Sequence, residues 1–338
     1  MSTQAGETIP HRDLYSYALL LIVGLLLVLG NSAGARAQDA FPTKPLRVIV
    51  PWPPGGPPDV FMRLLAPKLG EGWGRPVVVE NRAGATGTIG SDLVAKSAPD
   101  GYTLLLTSNQ PLTIAPSLFK VPYDAKKDFV PVAIVTEEAL VLVVNANLGI
   151  NSVAGLIAAA KAKPGALTYA TAGIGSFGHL SGEFFNMLAG VNLLHVPYQG
   201  TSQTIAPLLS GEISLGFPPP LPVLAHIKSG KLRALGVTSP KTSSLLPDVP
   251  PLTALGMEGL VITTWSGALL PAKTPQVLVR AWSVALRSTL QDEDLRQKLR
   301  IAGIDNPDWQ DGARMAELLD VDIAKYRKVI AAAKIVAQ

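Results

Sequence analysis

A chain of 338 residues with 48% hydrophobic and 16% charged positions has room for two lobes and too much apolar content for disorder. Its net charge of +4 leans towards anionic small ligands, but no basic run or basic–aromatic stripe accompanies it, which argues against nucleic acid as a partner. Cysteine is absent, so thiol catalysis, disulfides and cysteine-ligated zinc or iron–sulfur sites are excluded.

Arg12 precedes an apolar run from Ala18 to Gly30, and Ala35-Arg36-Ala37 supplies a small-residue cleavage site. These are the parts of a secretory signal over residues 1–37, cleaved after Ala37, with the mature chain starting at Gln38 and exported out of the cytoplasm. The alternative is a retained anchor, but the run falls short of the roughly 20 apolar residues that span a bilayer.

Strands and helices then alternate. Leu46–Val50 is an apolar strand that enters the turn-rich stretch Pro51-Trp52-Pro53-Pro54-Gly55-Gly56-Pro57-Pro58-Asp59, and a helical pattern follows. Strand, tight turn and helix in that order aim backbone N–H groups at one point, which attracts anions without a charged side chain. Pro76–Glu80 reads as a second strand. A Gly/Thr loop over Asn81–Gly90 leads to a helix near Ser91–Ser97. Tyr102–Thr107 is a third strand, apolar enough for burial on both faces, and it ends in the polar Ser108-Asn109-Gln110-Pro111. Parallel sheets carry ligands at such carboxyl ends.

After Phe129–Val135, the strand Ala139–Asn145 makes a first crossing between lobes. Ser152 caps a helix that runs to Lys163 and stops at Pro164-Gly165. Leu167–Ala170 leads into a second glycine loop, Gly173-Ile174-Gly175-Ser176-Phe177-Gly178-His179, whose helix extends to Ala189. Leu193–Pro197, Ile213–Phe217 and Leu232–Thr238 read as strands, with helices at Thr204–Leu209 and Val223–Ser229. Val261–Leu269 crosses back. Thr274-Pro275 reads as a cap with proline at the first helical position, Gly303 as a helix stop, and Ala313–Ala333 as a final helix carrying Met315, Leu318, Ile323, Tyr326 and Ile330.

Each chemical motif meets an objection. Gly173-x-Gly175-x-x-Gly178 has the dinucleotide spacing, but no Asp or Glu follows where a ribose would need it; His195-Val196-Pro197-Tyr198 stands there. The same loop lacks the Lys and Ser/Thr of a phosphate-binding loop, having His179 and Leu180 instead. Ser176 with His179 suggests a hydrolase, yet Ile174 occupies the glycine place of a nucleophile elbow, and Ser at a helix start more often caps N–H groups. His179 and Glu183 share a helix face without a third ligand at metal spacing. Asp59 at a helix start reads as a capping and dipole partner. Trp52 either lines a pocket or packs on the core. Binding without chemistry, and without cofactor or metal, is the reading of these residues; an exported hydrolase built on Ser176 and His179 is the alternative.

A wider pattern adds to this. Phe41-Pro-Thr-Lys-Pro-Leu-Arg-Val-Ile-Val-Pro51, Pro54-Gly-Gly-x-x-Asp59, Val77-Val-Val-Glu-Asn-Arg82, Ala98-Pro-Asp-Gly-Tyr-Thr-Leu-Leu-Leu106, Pro122-Tyr-Asp124, His195-Val-Pro-Tyr198 and Ile227-Lys-Ser-Gly-Lys-Leu-Arg-Ala234 occur in order. Together they resemble the Bug receptors, the extracytoplasmic solute-binding proteins of tripartite tricarboxylate transporters, from about Phe41 to Lys334. The resemblance implies an α/β, two-lobed periplasmic-binding-protein-like fold of type II, with two α/β domains joined by a hinge: 38–143 plus 264–338, and 144–263. It implies a monomer that holds a small carboxylate by backbone amides and waters and delivers it to two membrane subunits of a proton- or sodium-driven transporter, or presents it to a sensor. Carried over by motif, first-lobe contacts are Pro54, Gly55, Gly56, Ser108 and Asn109. Second-lobe contacts are Gly173, Gly175, Ser176 and His179, with Tyr198 and Thr201 beyond them. Trp52 and Asp59, on the first loop, complete the candidate set.

Two departures from the family pattern matter. Pro57 and Pro58 stand where the family has glycine and a small hydroxylated residue, and Pro218-Pro219-Pro220 replace small or polar residues. Both changes strip polar contacts from the expected cleft, so the expected ligand is less polar, an aromatic or a mono- or dicarboxylate.

Overall fold

The apolar runs gather into two separate sheets in the computed structural model, which describes residues 41–302, 304 and 309–336. The signal segment, its cleavage site and the helix stop at Gly303 lie outside the described residues.

In chain order the elements begin with strand β1 (Leu46–Val50), helix α1 (Pro57–Trp73), β2 (Val77–Asn81), α2 (Thr88–Ala95) and β3 (Thr103–Ser108). The short helices α3 (Gln110–Thr113) and α4 (Ala115–Leu118) precede β4 (Phe129–Ala139) and β5 (Val141–Asn145). Then come α5 (Val153–Ala162), β6 (Thr168–Thr171), α6 (Phe177–Ala189), β7 (Leu194–Pro197), α7 (Thr201–Ser210), β8 (Leu215–Gly216), α8 (Leu224–Lys228) and β9 (Leu232–Val237). The chain ends with β10 (Thr263–Pro271), α9 (Gln276–Thr289), α10 (Glu293–Ile301), β11 (Gln310–Asp311) and α11 (Gly312–Ala332).

The first sheet has the order β11-β4-β10-β3-β1-β2, and the second β7-β6-β8-β5-β9. β1, β2 and β3 are mutually parallel, while β10 lies antiparallel between β3 and β4. β3 is apolar through its centre because helices cover both its faces, and β5 is buried throughout for the same reason. The chain is therefore two-lobed.

One residue, Leu140, separates β4 in the first sheet from β5 in the second. Buried Thr238 pins that crossing to the returning one. Its hydroxyl accepts from the Leu140 N–H at 2.9 Å and donates to the Ile262 carbonyl at 2.5 Å. A third link is α11. Met315 packs on the first sheet, with Ile134 and Trp265, while Tyr326, Val329 and Ile330 join the core under the second.

Two sequence expectations change. The strand expected at Ile213–Phe217 shrinks to Leu215–Gly216, since Pro218–Pro220 supply no N–H groups for a ladder. Thr274 does not cap the next helix: its hydroxyl donates to the Pro271 carbonyl at 2.7 Å, and Pro275 takes the N-cap place with extended geometry, so the helix starts at Gln276.

Candidate functional site

The first-lobe loop is braced from below by Asp59. Its carboxylate, 2% exposed, accepts from the Gly55 N–H at 2.9 Å, from Arg63 Nε at 3.0 Å and from Asn81 Nδ2 at 2.8 Å. Asn81 also donates to the Trp52 carbonyl, and Arg63 Nη2 donates to Asn81 Oδ1. Burial pushes the Asp59 pKa up, but the hydrogen bonds from Gly55, Arg63 and Asn81, with the Arg63 charge, outweigh it and hold the group ionised below its ordinary value. Gly55 has φ +87°, a conformation an L side chain resists, and it turns its N–H inward to this carboxylate. Pro54, Pro57 and Pro58 have no N–H. From Pro54 to Asp59 only Gly55, Gly56 and Asp59 therefore carry main-chain donors, and that of Gly55 is taken by the carboxylate.

Trp52 lies beside this loop with its ring close to Gly87, where an added Cβ would sit 3.3 Å from the indole and 3.2 Å from Pro111. Its Nε1 is buried and, among the described residues, has no hydrogen-bond partner. At the end of β3, Ser108 is half-buried. Asn109 is fully buried and turned inward. Its N–H donates to the Trp265 carbonyl at 2.9 Å, its Nδ2 to the Thr263 carbonyl at 3.2 Å and towards Asp322 at 3.4 Å, and its Oδ1 accepts from Trp265 N–H at 3.3 Å.

The second lobe repeats the device with imidazoles. Ser176 caps α6, its hydroxyl accepting from the His179 N–H at 3.3 Å. The His179 ring reaches back, and Nδ1 accepts from the Gly175 N–H at 3.1 Å. That bond leaves the ring proton on Nε2, which faces Glu183 at 4.0 Å. His195 from β7 stacks on His179, centroids 3.8 Å apart and planes 8° apart, and its Nε2 shares a 2.7 Å hydrogen bond with the Thr171 hydroxyl. Tyr169 closes the group beneath His195 and donates to Glu183 at 2.5 Å. Burial pushes the His179 pKa down to about 3, helped by His195, and that of His195 to about 4. Both rings are neutral near pH 7.

This arrangement bears on hydrolysis. The His179 ring addresses Gly175, not the Ser176 hydroxyl, and Ser176 itself accepts a capping bond. A base with pKa about 3 is also far from the operating range of a general base. No group of three His, Cys, Asp or Glu side chains that could hold a metal occurs among the described residues.

Tyr198 is tied to β6 through its N–H to the Thr171 carbonyl at 2.9 Å, and Thr201 opens α7 after Gly200. β6 and β7 are parallel neighbours, so the starts of α6 and α7 share one edge of the second sheet. The two lobes touch near this edge. Gln110 Nε2 donates to the Gly175 carbonyl at 3.4 Å, and a Cβ on Gly175 would collide with Leu118 Cδ1. The first lobe's α3 and α4 thus meet the second lobe's glycine loop. A surface groove of about 650 Å³ lies elsewhere, between α1 and the edge strand β2.

Among the candidate residues, the loop braces Asp59 and His179 and the inward-facing Asn109 form one class; Gly56, Ser108, Tyr198 and Thr201 form another, at the sheet edges. The sequence reading missed Thr171 and Tyr169 altogether. It met His195 in a motif and as a histidine out of metal-ligand spacing with His179, but not as its stacking partner, because the stack joins residues 16 positions apart on different elements.

Residues 61–335 match the family described as tripartite tricarboxylate transporter family receptor. Protein BugT of Bordetella pertussis is 41% identical over 264 residues, covering 77% of this chain and 81% of that protein. The solved periplasmic binding protein BugD is 30% identical, with a TM-score of 0.69, over 88% of this chain and all of the other. An R. palustris protein solved with adipate is 30% identical with a TM-score of 0.73, over 88% and 99%. No helix among the described residues is long and apolar enough to cross a membrane.

Proposed function

The chain belongs to the tripartite tricarboxylate transporter receptor family, and from that premise we propose that it captures a small carboxylate between its two lobes and hands it to a membrane transporter. The observation that carries the reading is the approach of the two glycine loops' neighbours, Gln110 to Gly175, across the lobes. Helix starts from both sheets then flank one space. Hydrogen bonds to a charged group contribute about 1.5–3 kcal/mol each, so a few main-chain donors suffice to hold a carboxylate.

In this proposal Gly56, Ser108, Ser176, Tyr198 and Thr201 meet the ligand, with Trp52, Pro54 and Gly173 lining the space. Gly55, Asp59, Asn109, Gly175 and His179 act from behind as supports. The domains are 38–143 plus 264–338, and 144–263; the change of sheet at Leu140 and the return between Val237 and Thr263 support this division. The signal over residues 1–37 exports the chain, which works as a monomeric periplasmic receptor with two membrane subunits as partners. The adipate bound by the R. palustris relative supports a carboxylate ligand of low polarity.

Thermal-shift screening of mono-, di- and tricarboxylates tests this. A ligand at about 100 times its Kd adds about 2.7 kcal/mol of stability, a readily measured shift. If only citrate-like tricarboxylates act, the expected low polarity is wrong. Ser176→Ala separates receptor from hydrolase: a receptor loses affinity and forms no product, whereas a hydrolase loses turnover by orders of magnitude.

A further inference from the structure

At the edge of the first sheet stands a carboxyl group that has no counter-charge among the described residues. β1, β3 and β4 point the same way, so Val50, Ser108 and Ala139 end at one edge. Glu138 lies next to that edge, opposite Thr264 of β10, and Ser266 lies opposite both Thr136 and Ser108. Opposed side chains share a face, and faces alternate with period two. Glu138, Thr136, Thr264, Ser266 and Ser108 therefore line one face.

The intervening residues take the other face. Trp265 Nε1 donates to Asp322 of α11, Glu137 accepts from Gln310, and Gly267 lies against Met315. Helix α2 is on that second side as well, since its Val94 belongs to the core cluster of Trp265 and Met315. The step from β1 to β2 and the step back from β2 to β3 run in opposite directions, and right-handed crossovers then place α1 and α2 on opposite faces. Helix α1 thus begins over the face that carries Glu138.

A helix start and a carboxyl on one polar face sort charge. The helix start favours an anionic group; the carboxyl repels a second one and favours a cation. Among the described residues no cation or donor meets the Glu138 side chain, and burial pushes its pKa up to about 7. A partly buried carboxylate is costly unless paired, and the described residues offer no pair.

Resting on the receptor reading above, we infer that Glu138 is a specificity residue of the ligand site, set opposite a protonated amino group, so that the ligand is an amino-substituted carboxylate.

Isothermal titration with matched pairs tests this: succinate and aspartate, glutarate and glutamate, phenylacetate and phenylglycine. In at least one pair the amino-substituted acid should bind tenfold or more tightly than its partner. Glu138→Gln should abolish that preference while leaving the unsubstituted acid bound as well or better. The variant should melt at or above the wild type, because a charge penalised by burial is gone; if it fails to fold, the wild-type pairs decide alone. Unsubstituted acids binding without an amino preference, or a preference that survives Glu138→Gln, overturns the inference and leaves the receptor reading standing. Silence from every carboxylate sinks the receptor reading and this inference with it.

Discussion

The imidazoles of His179 and His195 lie face to face, 3.8 Å between centroids; His179 holds the Gly175 N–H of the glycine loop, and His195 the hydroxyl of Thr171, the last residue of the strand that leads into it. Such a pair tolerates no charge. Both folded pKa values, about 3 and about 4, lie below the ordinary 6.5, so between those limits the unfolded chain binds more protons than the folded one. Stability is then full above pH 6.5 and falls as pH drops towards 4, at up to about 1.4 kcal/mol per pH unit for each ring. Urea unfolding at pH 7, 6 and 5 should show this slope. His195→Phe, which keeps an aromatic ring over His179, should show a flatter one; an unchanged slope would mean that the rings do not titrate as a buried pair.

Asp59 carries the first loop in the same way, with three kinds of donor on one buried carboxylate. Asp59→Ala leaves the Gly55 N–H and the Asn81 amide without their acceptor and should cost about 2–4 kcal/mol in denaturant unfolding. Ligand affinity should fall as well, since the loop loses its fixed shape. Asp59→Asn should fall between wild type and Ala, because its amide presents donors to donors. Wild-type stability for Asp59→Ala would show that the loop is held by its prolines alone.

The strand and helix order was legible because this sheet architecture writes itself in local runs: apolar Leu46–Val50 and Thr103–Ser108 became strands, and Ser152 and Ser176 became caps. The direction in which site residues face was not. Asn109 sits in a polar strand end and looks like a ligand contact, yet the carbonyl and carboxylate that take its amide are 154 and 213 residues away. No local pattern encodes such partners. The same holds for Glu138, whose face follows only from its register with Thr264.

Asn109 therefore gives a prediction that separates support from contact. It ties β3 to β10 and lies 3.4 Å from Asp322 on α11, all in a buried setting. Asn109→Ala should cost about 2–3 kcal/mol by leaving main-chain groups of β10 and the Asp322 carboxylate short of a partner. Asn109→Asp should cost more, because it sets two carboxylates side by side. A loss of affinity with full stability in Asn109→Ala would instead make its amide a direct ligand contact.

The proline pair at the start of α1 offers the opposite kind of change, a gain. Pro57 is exposed and occupies the first helical position, where an N–H would have no partner within the helix and would point at whatever lies beyond the helix start. Pro57→Ser restores that donor at a position whose backbone shape serine adopts freely. One more hydrogen bond to a carboxylate contributes about 1.5–3 kcal/mol, and the looser unfolded chain offsets about 0.4–1 kcal/mol in stability, not in binding. Titration with the best carboxylate of the screen should give a Kd lower by about tenfold, the equivalent of about 1.4 kcal/mol, while the melting temperature falls slightly. An unchanged Kd would mean that the ligand does not reach the start of α1, and the anion-binding role argued for that helix would fall with it.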